Sequence, residues 1–339
     1  MTLELKNVGM IKEANVKIDG LTVLAGENDT GKSTVGKALF ALLKATKEKK
    51  ASSKLKIFNT IFKEKIVESD YGSFILKIES YTYGLLCKVD YETKQKLANF
   101  DIYDNPKCIW IGENIQEYKE IIFIESPLIW NFTDFFRDIA LIESQYKIEL
   151  DYPYLMKDLN FKFHIKSATN SVDIQKRVTS LMGGEFKKDE SDHYYFDKNG
   201  QRVELVNTAT GIKQFAIFQV LSQNNWLNKD TVLILDEPEV HLHPKWQLEM
   251  AKIIVELVKN GVKVLVNSHS SYMIEALKRY SEVEEVEEKT NFYLAEDGYI
   301  KQENNSNSET LEKIFEKLSE PFDTFEEMDA KRMEKLVNG

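Results

Sequence analysis

The chain has little of what would staple it covalently or anchor it in a membrane. Its 339 residues include two cysteines, Cys87 and Cys108. They are too few for a disulfide framework and lack metal-ligand spacing, so both read as buried thiols in a reducing cytoplasm. No apolar run approaches the roughly 18 residues that a membrane-spanning helix needs. The N-terminal stretch Met-Thr-Leu-Glu-Leu-Lys is charged throughout and has no secretory apolar region. A soluble cytoplasmic protein is expected, with no membrane partner. Long heptad runs, internal repeats and low-complexity linkers are also missing, and the lack of heptads argues against extended coiled-coil arms.

What the chain does have is a loop with chemistry. Gly26-Glu27-Asn28-Asp29-Thr30-Gly31-Lys32-Ser33 fits the pattern G-x-x-x-x-G-K-[ST] and follows the apolar run Leu21 to Ala25. Glycines in such a loop let backbone N–H groups turn inward around an anion. Lys32 can reach β- and γ-phosphates, and the Ser33 hydroxyl can ligate Mg²⁺. The segment from Thr34 to Leu43, rich in Ala and Leu and free of Pro, predicts a helix whose N-terminus adds its own preference for negative charge.

Two further strand ends carry polar groups. Val232 to Leu235 read as a buried parallel strand ending in Asp236 and Glu237, where ligands bind in open α/β sheets. Asp236 suits Mg²⁺ through water, and Glu237 suits the polarisation of an attacking water. Lys263 to Val266 form another strand, ending in Asn267-Ser268-His269-Ser270. A helix predicted from about Trp246 to Asn260 makes this a β-α-β unit, with His269 near the γ-phosphate end of a nucleotide.

Glu-Asn-Asp-Thr-Gly-Lys-Ser-Thr at 27–34, Thr-Ala-Thr-Gly-Ile-Lys-Gln at 208–214, Asp-Glu-Pro-Glu-Val-His-Leu-His-Pro at 236–244 and Asn-Ser-His-Ser-Ser at 267–271 together resemble the ABC-type ATPases of the SMC-like and OLD-like (overcoming lysogenization defect) groups. The resemblance implies an α/β P-loop NTPase, an ATPase head with a mixed central sheet. The core would be residues 1–44 and 205–300, with a helical and β insertion at 45–204 and a small acidic C-terminal cap at 301–339. It implies ATP and Mg²⁺ as ligands. Gly26, Asn28, Asp29, Thr30, Gly31, Lys32, Ser33 and Thr34 would surround the phosphates, Ser33 and Asp236 would hold the metal, and Glu237, His269 and Lys32 would act in catalysis. Thr210 and Gly211 of one subunit would close over the phosphates held by another, so that hydrolysis requires a homodimer or higher homo-oligomer.

Departures from the family pattern mark two positions. Ala209 stands where the signature usually carries a serine, so Thr208, Thr210 or the backbone N–H groups around Gly211 must supply that contact, and a nucleotide-gated scaffold with negligible hydrolysis is the alternative. The glutamine expected after the first central strand has no clear counterpart, Glu125 after Ile121 to Ile124 being its candidate. His241 and His243 beside the acidic strand end raise a metal site as another alternative to a loop at the dimer interface. The roughly 70 residues after His269 are too few for the Toprim nuclease of OLD proteins, so no nuclease activity is expected. Any cutting or toxic effect would belong to a separate effector protein, as in an antiviral defence pair.

Charge divides the chain unevenly. The net charge is −10, and residues 281–339 hold 17 acidic and 7 basic side chains, so the tail is not a nucleic-acid arm. Ser281 to Glu288 and Ser308 to Glu320 read as acidic-faced helices, with a hairpin between them around Ala-Glu-Asp-Gly. Lysines between Lys44 and Lys56, beside an apolar stripe of Leu55, Ile57, Phe58, Ile61 and Phe62, are the wet face of a helix or a phosphate-backbone contact. The second option would make the protein a DNA-repair clamp ATPase. Asp197-Lys198-Asn199-Gly200 predicts a hairpin turn leading to the signature segment.

Overall fold

The computed structural model describes residues 1–62, 71–78, 81–88, 107–111, 120–148 and 153–337. In chain order, strands β1 (Thr2–Val8), β2 (Ile11–Lys17) and β3 (Leu21–Ala25) lead to helices α1 (Lys32–Thr46) and α2 (Ala51–Phe62). Strands β4 (Tyr71–Ile78), β5 (Tyr81–Lys88), β6 (Lys107–Ile111) and β7 (Glu120–Ile124) follow, then helices α3 (Thr133–Tyr146), α4 (Tyr154–His164) and α5 (Gln175–Met182). Strands β8 (Glu185–Lys188), β9 (Tyr194–Lys198) and β10 (Gln201–Glu204) precede α6 (Thr210–Gln223). The chain then runs through β11 (Thr231–Asp236), α7 (Pro244–Lys259), β12 (Lys263–Ser268), α8 (Ser271–Val283), β13 (Thr290–Glu296), β14 (Tyr299–Lys301) and α9 (Asn307–Val337).

Among the described residues, eleven strands form one mixed sheet in the order β6-β5-β4-β1-β2-β14-β13-β3-β12-β11-β7. Its half from β13 to β7 is parallel, β1, β2, β4, β5 and β6 pair antiparallel with one another, and β14 joins the halves, antiparallel to β13 and parallel to β2. This is the α/β arrangement with a mixed central sheet expected from the sequence: a parallel core whose strands end together at one edge, where the glycine loop opens onto α1.

The continuous apolar runs of the central strands follow from burial on both faces. Along β11, Leu233 and Leu235 join the core beneath α6, α7 and α8, while Val232 and Ile234 join the core beneath α1. In β7, Ile122 and Ile124 face the first core and Ile121 and Phe123 the second. Gly36 lets α1 sit directly on this second face, since a Cβ there would lie 3.0 Å from Ile234 Cγ2 and 3.1 Å from Phe123 Cε2.

Residues 45–204, read from sequence as an insertion, supply β4 to β7 to this sheet. They also supply a second, three-stranded sheet, β10-β9-β8, and the helices around Trp130. The helix expected over Ser281 to Glu288 is displaced. α8 is capped by the Ser270 side chain, which accepts from Met273 N, and ends at Val283, with a 3-10 turn at Glu287–Lys289. The other tail helix, α9, runs past Glu320 and through Pro321 to Val337.

Buried charge ties the helical region to the sheet at the amino-terminal edge of β7. Lys162 of α4, 1 % exposed, lies 2.6 Å from Asp158 and 3.2 Å from Glu120, while Lys44 of α1 reaches Asp158 at 2.6 Å and Glu120 at 3.5 Å. Burial alone would raise the Glu120 carboxyl, but Lys162, Lys44 and Lys47 overcome it and hold it below the ordinary carboxylate value. Lys54 is buried with its ammonium 4.4 Å from the Trp110 ring centroid. Lys44, Lys47 and Lys54 of the basic stretch are thus engaged within the chain. The reading of Cys87 and Cys108 as buried thiols lies outside the described side chains.

Candidate active site

The loop after β3 is built around backbone geometry that side chains would block. Gly26 has φ +151°, and a Cβ there would sit 2.4 Å from the Ala295 carbonyl oxygen of β13. Gly31 has φ +89°, with Ile11 Cδ1 2.3 Å from its Cβ position. Such conformations suit glycine. Glu27, Asn28 and Asp29 are exposed at the tip, and Asp29 itself takes φ 63°. Lys32 is buried and folds back over the loop, donating to Gly26 O at 3.0 Å, to Glu27 O and to Thr30 Oγ1 at 3.3 Å. Burial pulls its pKa down against the pull of Glu237 and Asp236.

Parallel pairing brings the other groups to this edge. Asp236 and Asn267 are cross-strand partners, as are Ser268 and Ala25. Ser33 Oγ donates to Asp236 Oδ1 at 3.0 Å, and Asn267 Nδ2 donates to the same oxygen at 2.7 Å. The Ser33 and Asp236 oxygens therefore converge, and hard oxygen donors of this kind fit Mg²⁺. Next to them Glu237 adopts φ 50°, with its N–H bonded to Asn267 O at 2.9 Å. Its Oε1 lies 3.3 Å from His269 Nδ1. Lys32, Ser33, Asp236, Glu237 and His269 thus form one constellation.

Thr210 and Gly211 are placed elsewhere. They begin α6, where a Cβ on Gly211 would stand 3.4 Å from His241 O, Leu242 Cδ2 and Trp246 Cε3. Ala209 at the cap of α6 makes no side-chain capping bond, and the Thr208 hydroxyl already donates to Glu204 O at 3.0 Å. Thr210 and the first N–H groups of α6 are then the donors left at this end. His243 caps α7, its Nδ1 accepting from Lys245 N at 3.3 Å, and His241 is a turn residue with φ 67°. Among the described residues no group of three or more His, Cys, Asp and Glu side chains is placed to hold a metal ion. Glu125 follows β7 at the same edge as the loop and lies 3.6 Å from Lys37.

Several working residues carry no obvious sequence signal. Asn267 reads as one more polar residue after a strand, yet it fixes the Asp236 carboxylate. Lys213, 6 % exposed, donates to Asn131 Oδ1 at 2.9 Å, and Lys213 O accepts from Trp130 Nε1 at 2.8 Å. These bonds join α6 to the segment that follows β7. Glu239 is 3 % exposed and lies against Ser268 and His269. The spacing of these partners is tertiary, so only the fold reveals them.

Residues 142–274 match the protein family described as AAA ATPase domain. The match takes in Asp236, Glu237 and His269, and the glycine loop precedes it. No curated protein matches the chain. Among solved structures, an Smc head bound to the C-winged helix domain of ScpA is similar at 14 % identity, covering 88 % of this chain and 95 % of that one with a TM-score of 0.47. The SMC head domain from Thermotoga maritima shows 13 % identity over 81 % and 90 %, with a TM-score of 0.40. The ADP conformation of an ATP-binding cassette of an ABC transporter shows 15 % identity over 95 % and 96 %, with a TM-score of 0.37. Among the described residues, no helix is long and apolar enough to cross a membrane.

Proposed function

We propose that the protein binds ATP with Mg²⁺ at the loop Gly26 to Thr34 and hydrolyses it between two copies of the chain. The observation that carries this reading is the meeting of Ser33 with Asp236 at 3.0 Å, which joins a phosphate-loop hydroxyl to a strand-end carboxylate beside Glu237. Ser33 and Asp236 would hold the metal ion, which when bound offsets the charge of the β- and γ-phosphate oxygens. Lys32 exchanges its bonds to the loop for bonds to phosphate. The N–H groups of the loop and of the α1 N-terminus hold the remaining oxygens. Glu237 orients a water in line with the γ-phosphate and receives its proton. His269, within reach of Glu237, lines the γ-phosphate end.

Catalysis of this kind is mainly positioning and electrostatics. The half-exposed N-terminus of α6, with Thr210 and Gly211, supplies donors to the γ-phosphate held by the other copy, so assembly completes the site. The partner reading follows from this: nucleotide-driven closing and opening of two heads gates a separate effector, such as a nuclease or toxin in antiviral defence. Ala209, which offers no hydroxyl, favours as the second reading a scaffold that closes on ATP without turnover.

Turnover per protein against protein concentration, with mass by light scattering, tests the main reading. A bimolecular site gives specific activity that rises with concentration alongside an ATP-dependent dimer. Activity that is independent of concentration in a monomer contradicts it, and an ATP-held dimer without turnover selects the scaffold.

A further inference from the structure

Glu239 is the group at this site that the proposed chemistry leaves unused. It lies two residues beyond Glu237 and is 3 % exposed. Its Oε1 accepts from Ser268 Oγ at 2.6 Å and from the His269 backbone N–H at 3.0 Å, and it stands 3.7 Å from His269 Nδ1. The other oxygen, Oε2, is buried and makes no hydrogen bond. A buried carboxyl held by one oxygen is costly to retain, so its place calls for a physical reason.

The reason lies in what flanks His269. Glu239 grips the chain at Ser268 and at His269 N. On the other side, Gln247 Oε1 accepts from Ser270 Oγ at 2.6 Å while its Nε2 donates to Leu242 O at 3.1 Å. Glu239 of the loop after β11 and Gln247 of α7 thus clamp the turn after β12 on both sides of a residue whose side chain is itself 38 % exposed. With the main chain fixed, the imidazole has only its own two torsions to search, and its Nδ1 lies 3.3 Å from Glu237 Oε1, close but not hydrogen-bonded.

We propose that Glu239 is a positioning residue: by holding Ser268 and the His269 main chain it places the imidazole against Glu237 at the γ-phosphate end of the site. The proposal rests on the ATPase reading for its consequence in turnover, and on geometry alone for its consequence in the ring. Burial raises the Glu239 carboxyl above its ordinary value, which favours the neutral acid. Glutamine is isosteric with that form and its amide oxygen can accept the same two bonds, whereas alanine leaves both donors without an acceptor.

The test compares Glu239→Gln, Glu239→Ala, His269→Ala and the double alanine variant by ATP turnover. It also follows the imidazole resonances of the nucleotide-free full chain, with His269 assigned from His269→Ala. Glu239→Ala is expected to lower kcat about 30-fold with KM within about twofold, as loss of an interaction used only in the transition state does. Glu239→Gln stays within about threefold of wild type, and the double variant is no slower than the slower single one, because the two residues act as a unit. Glu239→Ala shifts the His269 resonances and leaves those of His164, His193, His241 and His243 in place. Wild-type kcat in Glu239→Ala, multiplying effects in the double variant, or unmoved His269 resonances would overturn the proposal. If the wild type turns over no ATP, the ATPase reading alone fails, and the His269 resonances decide on Glu239. Should Glu239→Ala not fold, Ser268→Ala, which removes one donor and keeps the carboxyl, carries the same readouts.

Discussion

Ser33 and Asp236, 203 positions apart in the chain, meet through a hydroxyl-to-carboxylate hydrogen bond of 3.0 Å. Asn267 donates to the same carboxylate oxygen at 2.7 Å. The convergence of Ser33 and Asp236 is what a shared cation would require. Ser33→Ala and Asp236→Asn are therefore expected to bind ATP with little benefit from Mg²⁺, losing at least about tenfold of the metal-dependent gain in affinity. Calorimetric titration of ATP with Mg²⁺ and with EDTA measures this. An unchanged gain in both variants argues against a metal at this position.

Gly26 is constrained by β13 as well as by any phosphate. A methyl group there meets the Ala295 carbonyl oxygen at 2.4 Å, on a backbone with φ +151°. Gly26→Ala is expected to displace the loop, destabilising the fold by about 1–3 kcal/mol. ATP affinity falls although Lys32 and Ser33 remain. Urea unfolding and nucleotide titration of the same protein check both parts, and wild-type values in either would count against the packing argument.

Lys162 is nearly inaccessible and holds both Asp158 and Glu120. Lys162→Met removes one partner and leaves two partly buried carboxylates with Lys44 and Lys47, at an expected cost of about 1–3 kcal/mol. The cluster sits at the opposite edge of the sheet from the glycine loop, so ATP affinity should stay within about twofold. Equilibrium urea unfolding gives the first quantity, and a neutral or stabilising effect would show that the cluster does not hold α4 to the sheet.

The same cluster sets an acid limb. Because Glu120 is held below its ordinary value of 4.5 by Lys162, Lys44 and Lys47 against the opposing effect of burial, its contribution is complete above that value and is lost as pH falls through its folded-state pKa. Urea midpoints measured from pH 7 down to pH 3 should fall more steeply below about pH 4.5 in the wild type than in Glu120→Gln. The variant starts lower at neutral pH. Parallel curves would exclude Glu120 as a source of acid sensitivity.

Glycines, apolar runs and strand-end carboxylates made the loop, β11 and β12 legible, since each is a local pattern with a local cause. The same is true of the turn at Asn199-Gly200 and of the hairpin β13–β14. What stayed hidden depends on pairing between distant segments. Thr290 to Leu294 lie parallel to Leu21 to Ala25, so the hairpin is part of the central sheet, and nothing in its own residues says so. β7 reads as a strand, but its place beside β11 is set by tertiary register. α8 lies upstream of the helix expected over 281–288 because burial of Met273, Ile274 and Leu277 fixes it, whereas the acidic run from Glu282 to Glu288 has few apolar positions to bury. In the site, the placement of Glu237 and His269 just after β11 and β12 is legible from motif position. The roles of Asn267 and Glu239 are not, because they are hydrogen bonds across 31 and 29 positions.

The central claim is that Glu237 activates water at a nucleotide held by Lys32, Ser33 and Asp236. Phosphate release at saturating ATP, compared between wild type and Glu237→Gln with ATP affinity measured on both, tests it most directly. The account predicts that the variant binds ATP as tightly as the wild type and releases phosphate at least about a hundredfold more slowly, the scale expected for loss of a general base. Equal rates in the two proteins would contradict it.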